Sequence, residues 1–179
     1  MVNTLELKID SEEPYKTPGE IMVRGVNVME GYYKNEEATK NVIDKDGWFH
    51  TGDLGITDKE NFVFIKGRSK SMLLGPSGQN IYPEEIEEKF NNFPYVLECL
   101  VLDKNNKLTA LLVPDQEAIK QDNLRDDELM DIYQDYRKEV NKSLPAYMQV
   151  ADVRIRNEEF EKTPKRSIKR FLYSDPDKI

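Results

Sequence analysis

Asp53 and Arg68 stand fifteen positions apart and carry complementary chemistry. Asp53 closes the stretch Thr51-Gly52-Asp53. The glycine permits close backbone approach, and the carboxylate can accept both hydroxyls of a vicinal diol such as a ribose. A turn aspartate bonded to its own backbone accounts for the same residues. Arg68 follows a segment that reads as a hairpin, which returns the chain to its starting point. A guanidinium there offers planar donors to an oxygen-rich ligand. A surface ion pair between the two, worth about 0–1 kcal/mol, is the alternative. The residues alone leave both readings open.

Three further places carry reactive or charged groups. The segment GRSKSMLLGPSGQNIYPEEIE, residues 67–87, joins a basic turn to a glycine-rich bend, Gly75 to Gly78, and then to an acidic helix start. The closing stretch EKTPKRSIKRFLY holds Lys162, Lys165, Arg166, Lys169 and Arg170. If it is extended, Lys165, Ser167 and Lys169 point to one side and Arg166 to the other. A solvated basic end is the expectation for most of these cations. His50 has no partner visible in the sequence, so a packing or hydrogen-bonding role is expected rather than general-base chemistry. Trp48 and Phe49 read as core. Tyr82 fits either packing or ligand contact. The single cysteine, Cys99, lies in an apolar run and reads as a buried small hydrophobe. One Cys and one His leave no His/Cys metal cluster.

The elements that must position these groups follow from periodicity and turn residues. GEIMVRGVNVM reads as a strand, NEEATKNVI as a short helix, and Leu54 to Thr57 with Phe62 to Lys66 as a hairpin. Pro83 fits the first position of a helix, with Glu84 and Glu85 in its first turn. Ile86 and Phe90, four apart, face a core, and the helix stops before Pro94. VLECLVLD and KLTALLVP flank Lys104-Asn105-Asn106 and predict an antiparallel hairpin. Residues 127–143 place Leu129, Ile132, Tyr133, Tyr136 and Val140 on one helical face. VADVRI is a last strand. The fold class is α+β: a small domain of an antiparallel hairpin sheet with helices, preceded by a β-rich piece. The boundaries expected are 1–66, a joint at 67–70, and 71–179. Residues 1–66 have too few apolar side chains for a core of their own.

Charged residues form 34% of the 179 and the net charge is −8, which argues against general nucleic-acid binding. No apolar run approaches the ~20 residues of a membrane span. The first residues lack the basic and apolar parts of a signal peptide. Cytoplasmic residence is expected, with contact to the inner face of the membrane open through the basic tail.

GWFHTGDLG, FVFIKGRSK, GQNIYPEEIE and KTPKRSIKR occur in that order, from about Gly19 to Tyr173 in their full context. Together they resemble the C-terminal part of the adenylate-forming enzymes: acyl-CoA synthetases, luciferase and peptide-synthetase adenylation domains. The extra residue in the Gly75–Gly78 bend and the wording NIYPEEIE look most like a bacterial long-chain fatty acid–CoA ligase. The resemblance implies a two-step reaction. A carboxylate attacks the α-phosphate of ATP, and coenzyme A then displaces AMP to give a thioester. It implies ATP, Mg2+ and coenzyme A as cofactors and a fatty acid as substrate. Asp53 would hold the ribose, with Thr51 and Arg68 at the nucleotide. Lys70 would be the hinge, and Gly75, Ser77 and Gly78 would line the coenzyme A channel. The family's tail lysine falls at Ser167, preceded by Arg166 where the family has glycine. Lys165 and Lys169 are therefore the candidates for the catalytic cation. The phosphate loop and acyl pocket are absent, so the chain reads as a lid needing the rest of its large domain and inactive alone. A carrier-protein thiol as acceptor, or a non-enzymatic module docking through the basic tail, are the alternatives.

Overall fold

The computed structural model describes residues 5–104 and 107–173. Asn105 and Asn106, where the second hairpin was expected to turn, lie outside them. The chain divides into two compact units between Lys70 and Ser71.

The first unit is one antiparallel sheet in the order β1 (Leu5–Asp10), β2 (Gly19–Gly25), β3 (Phe49–Thr57) and β4 (Val63–Arg68), with helix α1 (Glu36–Lys40) before β3. Gly19 is required where β1 turns into β2, because a side chain there would sit 2.1 Å from the Asp10 carbonyl oxygen. Asn35 caps α1 by accepting the Ala38 N–H at 3.0 Å. The predicted hairpin is present but longer: β3 starts at Phe49, because its first half pairs with β2. The β3–β4 turn closes on Asp58, whose Oδ1 accepts the N–H groups of Glu60 (3.0 Å) and Phe62 (2.8 Å).

Trp48 and Phe49 are not core, contrary to expectation; both are half-buried. Trp48 lies between two cations, with Lys8 Nζ at 4.3 Å and Arg24 Cζ at 4.6 Å from its ring centroid. The sheet buries only Ile9, Ile21 and Met22 among its large apolar side chains, while Tyr15, Val26, Tyr33, Phe62 and Ile65 are exposed.

The second unit begins with a small hairpin, β5 (Leu73–Leu74) and β6 (Asn80–Ile81). Helix α2 (Pro83–Asn91) follows, with Pro83 in its first turn and Ile86 and Phe90 fully buried. Then come β7 (Val96–Lys104), β8 (Lys107–Pro114), α3 (Gln116–Asp122), α4 (Asp126–Lys142) and β9 (Val150–Ile155). The antiparallel hairpin β7–β8 is as expected, and β9 joins β8 in parallel after the α3–α4 crossover. Asn141 fixes the start of β9: its side chain donates to the Val150 carbonyl (2.9 Å) and accepts the Val150 N–H (2.8 Å).

Strand β8 is central and buried at every position after Lys107. One of its faces, with Cys99 and Val101 of β7, packs against Ile86, Phe90, Leu129 and Tyr133 of the helices. The other face, Leu111 and Val113 with Leu100 of β7, packs against Phe160, Ile168, Leu172 and Tyr173 of the tail. The basic tail is therefore the second cover of the sheet. Cys99 is buried as expected, and burial pushes its thiol well above the usual range.

Candidate functional site

In the first unit, cross-strand register sets the site. Asp53 on β3 and Arg68 on β4 are direct partners, and Arg68 Nε lies 2.8 Å from Asp53 Oδ1. The Asp53 side chain is 35% exposed and that of Arg68 61%, so both are open to a ligand. Arg68 also reaches the Thr51 carbonyl at 3.5 Å. Thr51, Asp53 and Arg68 thus come together as the sequence suggested.

The turn holding Asp53 is fixed from β2. Thr51 Oγ1 donates to the Ile21 carbonyl (2.7 Å) and accepts the Asp53 N–H (3.1 Å). Gly52 adopts φ +74°, a left-handed value that suits glycine, and its N–H donates to Glu20 Oε1 at 2.8 Å. Glu20 Oε2 bonds His50 Nδ1 at 2.8 Å, and Asp44 Oδ2 lies 3.9 Å from the other ring nitrogen. His50 is thus a hydrogen-bonded structural residue. Its partner, Glu20, was not legible, because it comes from the neighbouring strand across a bulge in the β2–β3 register. Glu20, His50, Gly52, Arg68 and Lys70 line a cleft of about 430 Å³. Lys70 lies in a 3-10 turn, Ser69–Ser71, at the boundary between the units.

In the second unit the Gly75–Gly78 bend closes the β5–β6 hairpin. The Gly78 N–H donates to the Gly75 carbonyl (2.9 Å) and the Gly75 N–H to that of Gln79 (2.8 Å). Gly78 has φ +80° and open space where a side chain would be. Gly75 lines a cleft of about 160 Å³ with Leu73, Pro76, Lys107 and Tyr147. Ser77 and Gly78 stand exposed beside it rather than lining it. Tyr82 is buried.

The tail departs from expectation. It is not extended at Lys165–Lys169. Lys162 and Ile168 form an antiparallel bridge around a tight loop, in which the Arg166 N–H donates to the Thr163 carbonyl (2.8 Å) and the Thr163 N–H to that of Ser167 (2.8 Å). Alternation of side chains therefore does not govern Lys165, Ser167 and Lys169. Arg166 takes φ +63°, the conformation that favours glycine. The loop geometry thus explains the glycine that the resemblance leads one to expect there.

Nor is the tail mainly a solvated basic end. Lys162 bonds Glu98 and lies 3.3 Å from Glu159, Lys169 lies 3.2 Å from Glu161, and Arg170 bonds the buried Glu87. Of these five tail cations, Lys165 and Arg166 are the exposed ones, and neither makes an ion pair with the described residues. Of the two candidate cations, Lys169 is occupied and Lys165 stands exposed in the loop.

Residues 71–174 match the family described as AMP-binding enzyme C-terminal domain. The chain belongs to the AMP-binding enzymes, whose C-terminal domain its second unit forms. A 2-succinylbenzoate–CoA ligase of Bacillus cytotoxicus is 40% identical over 117 residues, 65% of this chain and 24% of that protein. The peroxisomal long chain acyl-CoA synthetase 7 of Arabidopsis thaliana is 34% identical over 122 residues, 67% of this chain and 17% of its own length. The structure is also similar to the O-succinylbenzoate coenzyme A synthetase of Bacillus subtilis in complex with ATP and magnesium ion, with TM-score 0.74 and 31% identity, over 97% of this chain and 34% of that one. The chain thus spans about a quarter of the first of these curated relatives.

Proposed function

We propose that this chain is the mobile C-terminal lid, with the adjoining β-rich end of the large domain, of a longer acid–coenzyme A ligase. The observation that carries the reading is the Asp53–Arg68 pair, which stands just ahead of the boundary at which the family's C-terminal domain begins. Asp53 accepts the ribose hydroxyls, Arg68 and Thr51 hold the nucleotide, and Lys70 is the pivot between an adenylating and a thioester-forming orientation. ATP arrives with Mg2+, as in the Bacillus subtilis complex. Among the described residues no cluster is arranged to hold a metal, so the ion would be held elsewhere.

The Gly75 cleft takes part of the coenzyme A arm, and Lys165 in the tail loop supplies positive charge as the α-phosphate is attacked. The acid is a long-chain fatty acid on the wording of residues 75–87. A second reading, 2-succinylbenzoate, is favoured by the 40% identity to the Bacillus cytotoxicus ligase. We place the enzyme in the cytoplasm. Peripheral membrane contact through the tail draws little support, because three of its five cations are already paired.

ATP–pyrophosphate exchange by the longer enzyme, with palmitate and 2-succinylbenzoate offered separately, tests the reading. Exchange with palmitate supports the first acid and exchange with 2-succinylbenzoate the second. Exchange with neither, under conditions where the protein is folded, removes both. Running the second half-reaction with coenzyme A and with a carrier-protein thiol fixes the acceptor.

A further inference from the structure

The tail loop is held at both ends by carboxylates that come from elsewhere in the second unit. On the incoming side, Glu98 of β7, whose side chain is 13% exposed, bonds Lys162 and accepts the Phe160 N–H at 3.2 Å. On the outgoing side, Glu87 of α2 bonds Arg170 and is 8% exposed. These two residues also complete an edge of the sheet. Among the described residues strand β7 has no neighbour on its outer side. Glu87 Oε1 accepts the Val101 N–H at 2.7 Å, and Arg170 Nη1 donates to the Val101 carbonyl at 3.4 Å. The Glu87–Arg170 bond closes this ring, so a side-chain pair supplies the hydrogen bonds that another strand would make.

A surface pairing of long, exposed chains would hold the loop weakly. In this pairing the carboxylates are largely buried and the cations half-buried, and it links three elements. Arg170 also carries a second carboxylate, Glu84, at 3.7 Å. Between the two anchors only residues 163–167 project, held by their own turn bonds. Tyr173 adds a third fixing point, its hydroxyl accepting the Glu161 N–H at 2.7 Å.

We propose that Arg170 and Lys162 are positioning residues that, through Glu87 and Glu98, hold the Thr163–Ser167 loop at the orientation from which it delivers charge to the reacting phosphate. The catalytic half of this rests on the function proposed above; the mechanical half stands on the second unit alone. Cations that read in the sequence mostly as a solvated basic end thus divide into anchors and a presented tip. The anchors touch neither substrate nor cofactor. Their effect is on orientation, where a displacement of about 1 Å costs about 100-fold in rate.

The test uses Arg170→Met and, because an unpaired buried carboxylate can unfold the domain, the double variant Glu87→Gln with Arg170→Met, which removes the buried charge and leaves only the part-exposed Glu84 without its 3.7 Å partner. In the 179-residue chain, amide exchange is read at Arg166 and Ser167. It should quicken by about tenfold or more while the β8 amides stay protected, and Arg170→Lys should restore part of the protection. In the longer enzyme, the same variants should lower kcat for acyl-adenylate formation by about 100-fold, with KM for ATP and thioester formation from supplied adenylate unchanged. Unchanged loop exchange in every variant overturns the proposal. So does a loosened loop with normal adenylation, if Lys165→Ala does slow adenylation. If Lys165→Ala has no effect, the assignment of the loop to catalysis falls, the catalytic half goes with it, and exchange alone judges the anchors.

Discussion

Asp53 owes its direction to bonds made by its neighbours: Thr51 to Ile21, Gly52 to Glu20, and its own pairing with Arg68. A carboxylate held this way offers acceptors to a diol without first being ordered, and charge-assisted bonds contribute about 1.5–3 kcal/mol. In the longer enzyme, Asp53→Ala should weaken ATP binding by about tenfold or more, read by titration calorimetry. Unchanged affinity would make the Asp53–Arg68 contact a structural ion pair only. Arg166 illustrates a residue at odds with its backbone. Its φ of +63° costs a side-chain-bearing residue about 1 kcal/mol relative to glycine. Arg166→Gly should therefore raise the denaturation midpoint of the second unit, and a fall would show that the side chain contributes more than the strain removes.

At the scale of elements, Glu87 links a helix, a strand and the tail, and its proton equilibrium reports on that junction. Burial pushes its carboxyl above 4.5, while Arg170 and the Val101 N–H pull it back. A native carboxyl with a raised pKa binds its proton more tightly than the unfolded one. It adds stability that is full below the unfolded value and lost as pH rises through the native one. The natural chain should thus gain stability over Glu87→Gln as pH falls from neutral toward 4.5, followed by urea titration at several pH values. A difference that stays flat or shrinks would mean that Arg170 outweighs burial. Helices α2 and α4 and the β7–β8 hairpin were legible in the sequence because each has a strong period and a clear stop. Helix α3 was not: it is seven residues long, too short for a period, and its signal is the Asp115 cap, which accepts the Glu117 (3.0 Å) and Ala118 (3.2 Å) N–H groups. In the candidate site, Asp53 and Arg68 could be found because a hairpin links them. Glu20 could not, since strand register across a bulge leaves no local trace. The tail was misread because Lys162 and Arg170 are partnered by residues far away in the chain, Glu98 and Glu87, and because its loop folds back on itself.

For the whole molecule, the two units differ in self-sufficiency. The second has two apolar clusters of its own; among the described residues the first contributes to neither. Its Phe62, just before β4, and its Ile65, within it, are exposed. The chain alone should show no ATP–pyrophosphate exchange, because nucleoside contacts without a phosphate loop do not orient the triphosphate. Robust exchange by purified chain would refute the lid reading. In the longer enzyme, Lys70→Pro fixes φ near −65° at the proposed pivot. It should impair thioester formation more than adenylation, and equal losses in both half-reactions would move the pivot elsewhere.

The tail's role as cover of the outer face of β7–β8 sets the order in which this polypeptide can mature. Leu100, Leu111 and Val113 are made long before Phe160, Ile168 and Tyr173, which bury them. During synthesis the sheet must wait with one greasy side bare until residues 160–173 emerge. A copy stopped early by a nonsense codon, or clipped near Asn157, would be left with that side uncovered and prone to clump or be degraded. A copy without the tail loop would thus seldom persist as a soluble competitor, since the strap that carries the loop also finishes the fold.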